Sequence, residues 1–117
     1  MRTIAIVEDD PSLLQGLSRL LSAHGFRVAR FSSAESFLAG AAQCDAACLV
    51  VDIHLGGISG IDLKKRLTSS GSDFPVIFMT AVESEATRQE AVDAGCVAYL
   101  RKPFLAQLLI DAINRAS

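Results

Sequence analysis

The sequence is poor in the residues that mark secreted, membrane or metal-thiolate proteins. It has no tryptophan, and its three cysteines are Cys44, Cys48 and Cys96. Because their number is odd and no pair has C-x-x-C spacing, we expect three reduced, mostly buried thiols and no zinc or redox site. No apolar stretch approaches the roughly 18 residues of a membrane span, and the N-terminus has no signal-peptide pattern. These absences predict a cytoplasmic protein that does not contact a membrane.

An excess of charge of one sign is also missing. The formal net charge is −2 for a chain of 117 residues. A charge balance this mild does not create the positive surface potential that attracts nucleic acids. We therefore expect no direct nucleic-acid contact from this domain. Half of the residues are hydrophobic, which is enough for a core, and no linker, repeat or low-complexity segment interrupts the chain. We therefore expect a single domain over residues 1–117.

What the sequence does contain is an alternation of strand-like and helix-like segments, repeated five times. The third apolar run has no polar interruption, as expected of a central parallel strand covered on both faces. The second run contains Arg27 and Arg30, which favours an edge position. The predicted strands are 3–7, 26–31, 47–51, 76–79 and 97–100.

Capping residues mark where the intervening helices begin. Asp10 is a predicted N-cap for the first helix, and Ser59 is one for the third. The pattern Ser32-x-x-Glu35 predicts a capping box for the second helix.

The two last helices differ in their apolar content. The fourth, at 84–94, has few apolar residues beyond alanine, so we expect it to be among the less stable elements. The fifth begins near Phe104 and has a strong apolar stripe. Its predicted inward residues are Leu105, Leu108, Leu109, Ala112 and Ile113.

Strict alternation of strands and helices implies a parallel sheet with helices on both faces, because a helix must return the chain between parallel strands. We therefore predict an α/β domain with a flavodoxin-like, doubly wound sheet of five strands in the order 2-1-3-4-5. In open sheets of this kind, ligands bind beyond the carboxyl ends of the strands. Polar residues stand at that point after four of the five predicted strands. The candidates are Glu8, Asp9, Asp10, Asp52, Thr80 and Lys102.

Taken singly, each candidate has a plain structural explanation. Acids after a strand can complement the next helix dipole, an aspartate can cap a turn, threonine suits strands and lysine suits surfaces. Together, however, they bring carboxylates to one rim, where the charges repel unless a cation or a proton lies between them. Oxygen ligands without a convergent Cys or His set favour a hard divalent cation, and Mg²⁺ is the available one.

A carboxylate beside Mg²⁺ and a lysine can act as a nucleophile. Asp52 is the best candidate because it ends the predicted central strand and precedes a glycine-rich loop, which lets backbone approach closely. Attack on phosphorus would give an aspartyl phosphate. The metal and Lys102 would neutralise charge on the transferring group, and the Thr80 hydroxyl could donate a hydrogen bond to it.

At these residues the chain resembles the receiver domain of two-component response regulators. The resemblance covers essentially the whole chain, and the ordered set of motifs is highly specific. Within that family the chain looks like the FixJ-type branch, in which a helix-turn-helix output domain usually follows the receiver. The matching pieces are I-V-E-D-D at 6–10, L-V-V-D at 49–52, S-G at 59–60, F-M-T-A at 78–81 and Y-L-R-K-P-F at 99–104.

The resemblance implies that Asp52 is the phosphoacceptor and that a phosphohistidine on a sensor histidine kinase is the donor. Asp9 would bind Mg²⁺ directly and Glu8 through water, and the backbone carbonyl of His54 would be a further ligand. Lys102 would contact the phosphoryl oxygens. Such a domain catalyses only its own phosphorylation and dephosphorylation, so we do not expect a turnover enzyme.

The resemblance also implies a conformational switch. Thr80 would move toward the phosphoryl group while Tyr99 turns inward, and the Lys102–Pro103 bond would be cis, which proline tolerates. Phosphorylation would then reshape the face of helix four, strand five and helix five to control an output domain or a partner. A phosphorylation-dependent homodimer through that face is a hypothesis.

Three details depart from the commonest family pattern. Residues 55–56 are Leu-Gly where members often have Met-Pro, which leaves the loop shape open. His54 is unusual at its position, and we expect its side chain to face solvent. Val82 lies two residues past Thr80 and cannot orient attacking water, which predicts a long-lived phosphoryl group.

Three other functions remain as alternatives. A phosphatase with an aspartyl intermediate typically has D-x-D after the first strand, but Pro11 occupies the position of the second aspartate. A nucleotide or flavin binder would need a glycine-rich phosphate motif, and neither G-x-G-x-x-G nor G-x-x-x-x-G-K-[ST] occurs. A degenerate receiver that only binds proteins would not be phosphorylated at Asp52.

Overall fold

The computed structural model describes residues 2–40, 44–82 and 84–116, with a parallel sheet at its centre. The strands are β1 (Thr3–Val7), β2 (Arg27–Phe31), β3 (Cys48–Asp52), β4 (Val76–Thr80) and β5 (Ala98–Arg101). Their order is β2-β1-β3-β4-β5, and neighbouring strands are parallel, which confirms the predicted topology. The strand β2 lies at an edge, as its two arginines predicted.

Five helices cover the two faces of this sheet. They are α1 (Pro11–Ala23), α2 (Ala34–Gly40), α3 (Gly60–Ser69), α4 (Glu85–Ala94) and α5 (Ala106–Ala116). Several boundaries differ from the predictions by one or two residues. The most useful difference is that Asp52 and Thr80 are the last residues of their strands, so the sheet itself fixes their backbones.

Alternating strand residues build two separate cores. One core lies between the sheet and α1 with α5, and the other lies between the sheet and α2, α3 and α4. All residues of β3 and β4 are buried, as expected of central strands covered on both faces. The largest fully buried side chains include Phe37, Phe78, Leu63 and Leu67 in one core and Ile4, Leu21, Leu109 and Ile113 in the other.

The helix starts mostly follow the predicted caps. The Asp10 carboxylate accepts backbone N–H groups at the start of α1, and the hydroxyl of Ser59 accepts one at the start of α3. The predicted box at Ser32 and Glu35 is wrong by one residue. The hydroxyl of Ser33 accepts the N–H of Ser36 at 3.0 Å, so Ser33 caps α2, which begins at Ala34.

The predicted stripe of α5 is only partly correct. Leu109, Ala112 and Ile113 are buried, and Ile110 joins them. Leu105 and Leu108, however, are 74% and 49% exposed, because Leu105 precedes the helix and Leu108 lies beside its buried face. The helix α4 buries only Ala91 among its described residues, which agrees with its weak apolar pattern.

The three cysteines are free thiols, of which Cys48 is buried while the other two are half-buried. Burial raises the pKa of Cys48 to about 12, so it stays a neutral thiol at physiological pH. No helix among the described residues is long and apolar enough to cross a membrane.

Candidate functional site

The predicted site residues meet at the carboxyl-terminal rim of the sheet. Glu8 and Asp9 directly follow β1, and Asp52 ends the neighbouring strand β3. Thr80 ends β4, and Lys102 follows β5. The chain leaves β1 toward β2 on one side and leaves β3 toward β4 on the other, which opens a crevice between β1 and β3.

The centre of the site is the ammonium group of Lys102. Its Nζ atom donates to Oε1 of Glu8 at 2.7 Å and to Oδ2 of Asp52 at 2.7 Å. Glu8 is 1% exposed and Asp52 6% exposed, so water cannot solvate these two carboxylates well. Removing one partner from a buried charge pair typically destabilises a protein by about 3–5 kcal/mol. Each of the three side chains therefore needs the other two to compensate its charge in this buried position.

Opposing effects set the protonation of this cluster. Burial raises the pKa of Glu8 above its ordinary value of 4.5, although hydrogen bonds from Lys102 and from the Asp10 backbone partly offset it. Burial by itself lowers the pKa of Lys102, but its bonds to Asp52 and Glu8 outweigh that, so its pKa lies above 10.5. Lys102 is therefore charged at neutral pH and compensates one carboxylate.

The loop after β3 holds the Asp52 carboxylate in place. Its Oδ1 atom accepts the backbone N–H of His54 at 2.8 Å, while Lys102 binds Oδ2. The backbone turns sharply here because the N–H of Gly60 donates to the carbonyl of Ile53 at 3.0 Å. A Cβ at Gly60 would overlap the carbonyl oxygen of Asp52, so this close approach requires glycine.

Asp9 supplies the exposed wall of the site. Its Oδ2 atom accepts the backbone N–H of Gly56 at 3.2 Å, which ties the loop after β1 to the loop after β3. Carboxylate oxygens of Glu8, Asp9 and Asp52 lie within 4.8 Å of one another. The side chain of His54 is exposed, as predicted. The role of its carbonyl as a metal ligand stays a prediction.

The donor set of this cluster fits a hard divalent cation. Three carboxylates and one ammonium leave two negative charges uncompensated when all are ionised. The available donors are oxygens, which Mg²⁺ prefers over nitrogen or sulfur. Because Asp9 is exposed, a hydrated ion can reach the cluster from solvent. The residues present therefore suit Mg²⁺.

Thr80 bonds to the backbone of Val82, and Tyr99 borders the same cavity as Val82. The Thr80 hydroxyl is buried, and it pairs with the Val82 backbone through the N–H at 3.1 Å and the carbonyl at 3.2 Å. Tyr99 is half-buried and borders a cavity of about 270 Å³ together with Val82 and Arg88. The segment after β4 thus links the site to α4.

One contact of the site was not predicted from the sequence. The carboxylate of Glu35, at the start of α2, lies against Gly57, where a Cβ would overlap it. Gly57 has φ +85°, a conformation that favours glycine. The glycine pair in the loop was a signal for close approach, but nothing in the sequence indicated that α2 supplies the approaching group. The predicted cis bond between Lys102 and Pro103 is present.

Comparisons with known proteins agree with this geometry. The family model of the response regulator receiver domain matches residues 4–114. The response regulator protein TmoT of Ectopseudomonas mendocina is 35% identical over 113 residues, which cover 97% of this chain and 51% of that protein. The transcriptional regulatory protein FixJ of Bradyrhizobium diazoefficiens is 33% identical over 117 residues, covering 97% of this chain and 57% of FixJ.

Solved structures give the same result. The crystal structure of FixJ-N has a TM-score of 0.93 at 34% identity and covers 99% of this chain and 93% of its own. The response regulator StyR has a TM-score of 0.86 at 36% identity, over 98% of this chain and 58% of that one. The chain spans about half the length of the curated relatives it matches. By its fold, its rim of acids and these relatives, the chain belongs to the receiver domain family of two-component response regulators, among FixJ-like members.

Proposed function

We propose that Asp52 accepts a phosphoryl group from a phosphohistidine of a sensor histidine kinase, and that residues 1–117 form one receiver domain. The observation that carries this proposal is the bridge from Lys102 to Glu8 and Asp52, both at 2.7 Å, with Asp9 beside it. It gives a buried carboxylate a fixed position and a neighbouring positive charge. Those are the requirements of a carboxylate nucleophile in phosphoryl transfer.

The transfer step follows from the positions of these groups. An Asp52 carboxylate oxygen forms a bond to phosphorus as the bond from phosphorus to the kinase imidazole breaks. The electron pair of the broken bond stays on the imidazole nitrogen, which takes up a proton. Lys102 is within reach of Asp52 Oδ2 and would then pair with phosphoryl oxygens, which neutralises charge in the transition state. The domain acts once per signal and is not a turnover enzyme.

Mg²⁺ is part of this proposal. Asp9 and Asp52 would bind it directly, Glu8 would act through water, and the His54 carbonyl would be a further ligand. When bound, the ion offsets charge on the phosphoryl oxygens. The carboxylates lie within 4.8 Å of one another, which supports a shared cation.

We further propose that Thr80 and Tyr99 transmit the change. The Thr80 hydroxyl would give up its bond to the Val82 carbonyl and donate to a phosphoryl oxygen instead. Release of the Val82 backbone would alter the cavity that Tyr99 borders, so that the ring could turn inward. Because α4 buries only Ala91, it can move at low cost when this segment shifts.

The moved surface would control an output domain or a partner, including transcription in a longer regulator. Four large apolar side chains, Val82, Val92, Leu105 and Leu108, are exposed on or beside α4 and α5. They support a homodimer that forms after phosphorylation. The free cysteines fit the reducing cytoplasm as the place of action.

The test is to locate the modified residue chemically. The protein is incubated with acetyl phosphate and Mg²⁺, and borohydride then reduces any acyl phosphate to an alcohol. We expect the resulting homoserine at position 52 by peptide mass mapping. The matched variant Asp62→Asn, which removes an exposed carboxylate of α3, should leave the label in place. Reduction at another aspartate or glutamate would refute the assignment.

A further inference from the structure

A second feature, separate from the phosphorylation site, is a basic groove between α1 and β2. Its volume is about 590 Å³. We call it the arginine groove; α1 contributes Ser18, Arg19 and Ser22, and β2 contributes Arg27, Val28 and Arg30. None of these residues belongs to the cluster around Lys102. The groove is therefore a separate surface from the site around Asp52.

The charge of the arginine groove is uncompensated. Arg19, Arg27 and Arg30 are all exposed. Within residues 2–40, 44–82 and 84–116, no carboxylate forms an ion pair with any of the three guanidinium groups. The molecule as a whole has a net charge of −2, so this concentration of positive charge is local. A cleft of one sign attracts ligands of the opposite sign, and arginine pairs well with carboxylates.

The floor of the groove is an open strand edge. The N–H of Arg27 donates to the backbone carbonyl of Arg2, and the carbonyl of Phe31 accepts from the backbone N–H of Glu8. Both β2 residues therefore turn their backbone groups toward β1. Because these directions alternate along a parallel strand, Val28 and Arg30 turn their N–H and C=O groups outward. In the described part of the chain, β2 pairs with β1 and no other strand. An extended peptide can hydrogen-bond to such an edge.

The two observations together identify the chemistry of the occupant. A second copy of β2 is unsuitable, because it would bring a second set of uncompensated arginines of the same charge to this edge. We propose that the arginine groove binds an extended acidic segment of a partner protein, which adds a strand beside β2 and pairs its carboxylates with Arg19 and Arg30. The side chain of Arg30 lies on the α1 side of the sheet, as that of Val28 does, whereas the side chain of Arg27 alternates to the other side. The backbone edge favours a peptide over a nucleic acid, which would use only the charges.

The proposal is tested with synthetic peptides on the intact chain. The probe is a capped peptide of four Glu-Thr repeats, and the binding constant is measured by fluorescence anisotropy. We expect binding that shifts the amide resonances of Val28 and Arg30 and slows their hydrogen exchange. A peptide of four Glu-Pro repeats has the same charge but cannot form a strand, so it should bind several-fold more weakly. A peptide of four Lys-Thr repeats should not bind.

Two double variants of equal net charge separate the groove from general electrostatics. Arg19→Gln and Arg30→Gln together should weaken the Glu-Thr peptide by about fivefold, the sum of two exposed ion pairs. The control Lys65→Gln and Arg66→Gln changes exposed bases outside the groove and should have little effect. Equal loss in both variants, no binding at millimolar peptide, or tighter binding of an eight-nucleotide thymidylate than of the peptide would overturn the proposal.

Discussion

At the scale of single residues, the site combines groups whose positions were predictable with contacts that were not. The order of Glu8, Asp52 and Lys102 after their strands placed them at one rim. Their mutual bonds depend on side-chain torsions and on strand register, which a sequence does not state. The misplaced cap at Ser32 has a similar cause, because the backbone torsions after β2 decide which of two adjacent serines caps α2.

Gly60 gives the first prediction at this scale. In Gly60→Ala, the new methyl group would collide with the backbone of Asp52, so we expect a loss of about 1–3 kcal/mol in the free energy of unfolding. Phosphorylation at Asp52 should also slow. The matched variant Gly16→Ala lies in α1 with no atom nearby and should gain about 1 kcal/mol in stability. Urea titration distinguishes the two, and equal effects would contradict the close approach at Gly60.

Val82 gives the second prediction at the scale of single residues. Its side chain is 50% exposed, so replacement does not disturb a core. In Val82→Glu a carboxylate could orient attacking water, and we expect the phosphoryl group to be lost about three- to tenfold faster. Val92→Glu, at a similarly exposed position in α4, serves as the control. Phosphate release that is no faster than in the wild type would disprove the role of Val82 in a long lifetime.

At the scale of elements, the helices differ in how well their sequences fixed their orientation. The leucines at 105, 108 and 109, around the start of α5, spread over much of the helix circumference, so periodicity alone could not decide which of them face the sheet. Leu105 and Leu108 were therefore assigned to the core although they are exposed. The helix α4 has few apolar residues, so fewer orientations could bury them, and its small contribution to the core was predicted correctly.

Hydrogen exchange tests the mobility of α4. Local opening exposes little apolar surface in α4, whereas α5 buries Leu109, Ile110, Ala112 and Ile113. We expect amides near the middle of α4 to exchange at least about tenfold faster than those of α5, in the unphosphorylated protein. Similar protection in the two helices would mean that α4 is not the element most ready to move.

At the scale of the whole molecule, alternation of strands and helices was sufficient to predict a parallel sheet covered by helices on both faces. The strand order came with the flavodoxin-like fold, and the two arginines of β2, which favour an edge position, agree with it. The assembly state is different, because it depends on how exposed side chains of two molecules fit. The exposed Val92 and Leu108 indicate a surface but not its partner.

Light scattering tests whether phosphorylation causes dimerisation. With Mg²⁺ and beryllofluoride, a phosphoryl mimic, we expect the mass to rise from monomer to dimer. The double variant Val92→Asp, Leu108→Asp should stay monomeric, because it places charges on the apolar surface. Thr68→Asp, on the exposed side of α3, should dimerise like the wild type. A monomeric wild type both with and without the mimic would rule out dimerisation through this surface.

The central claim is that Asp52 is phosphorylated with the help of Mg²⁺. Its most direct test is the intact mass of the protein after incubation with acetyl phosphate and Mg²⁺, for the wild type and for Asp52→Asn. We predict one added phosphoryl group on the wild type, none on the variant, and none on the wild type when Mg²⁺ is chelated. The same adduct on both proteins would show that Asp52 is not the acceptor and would contradict the account.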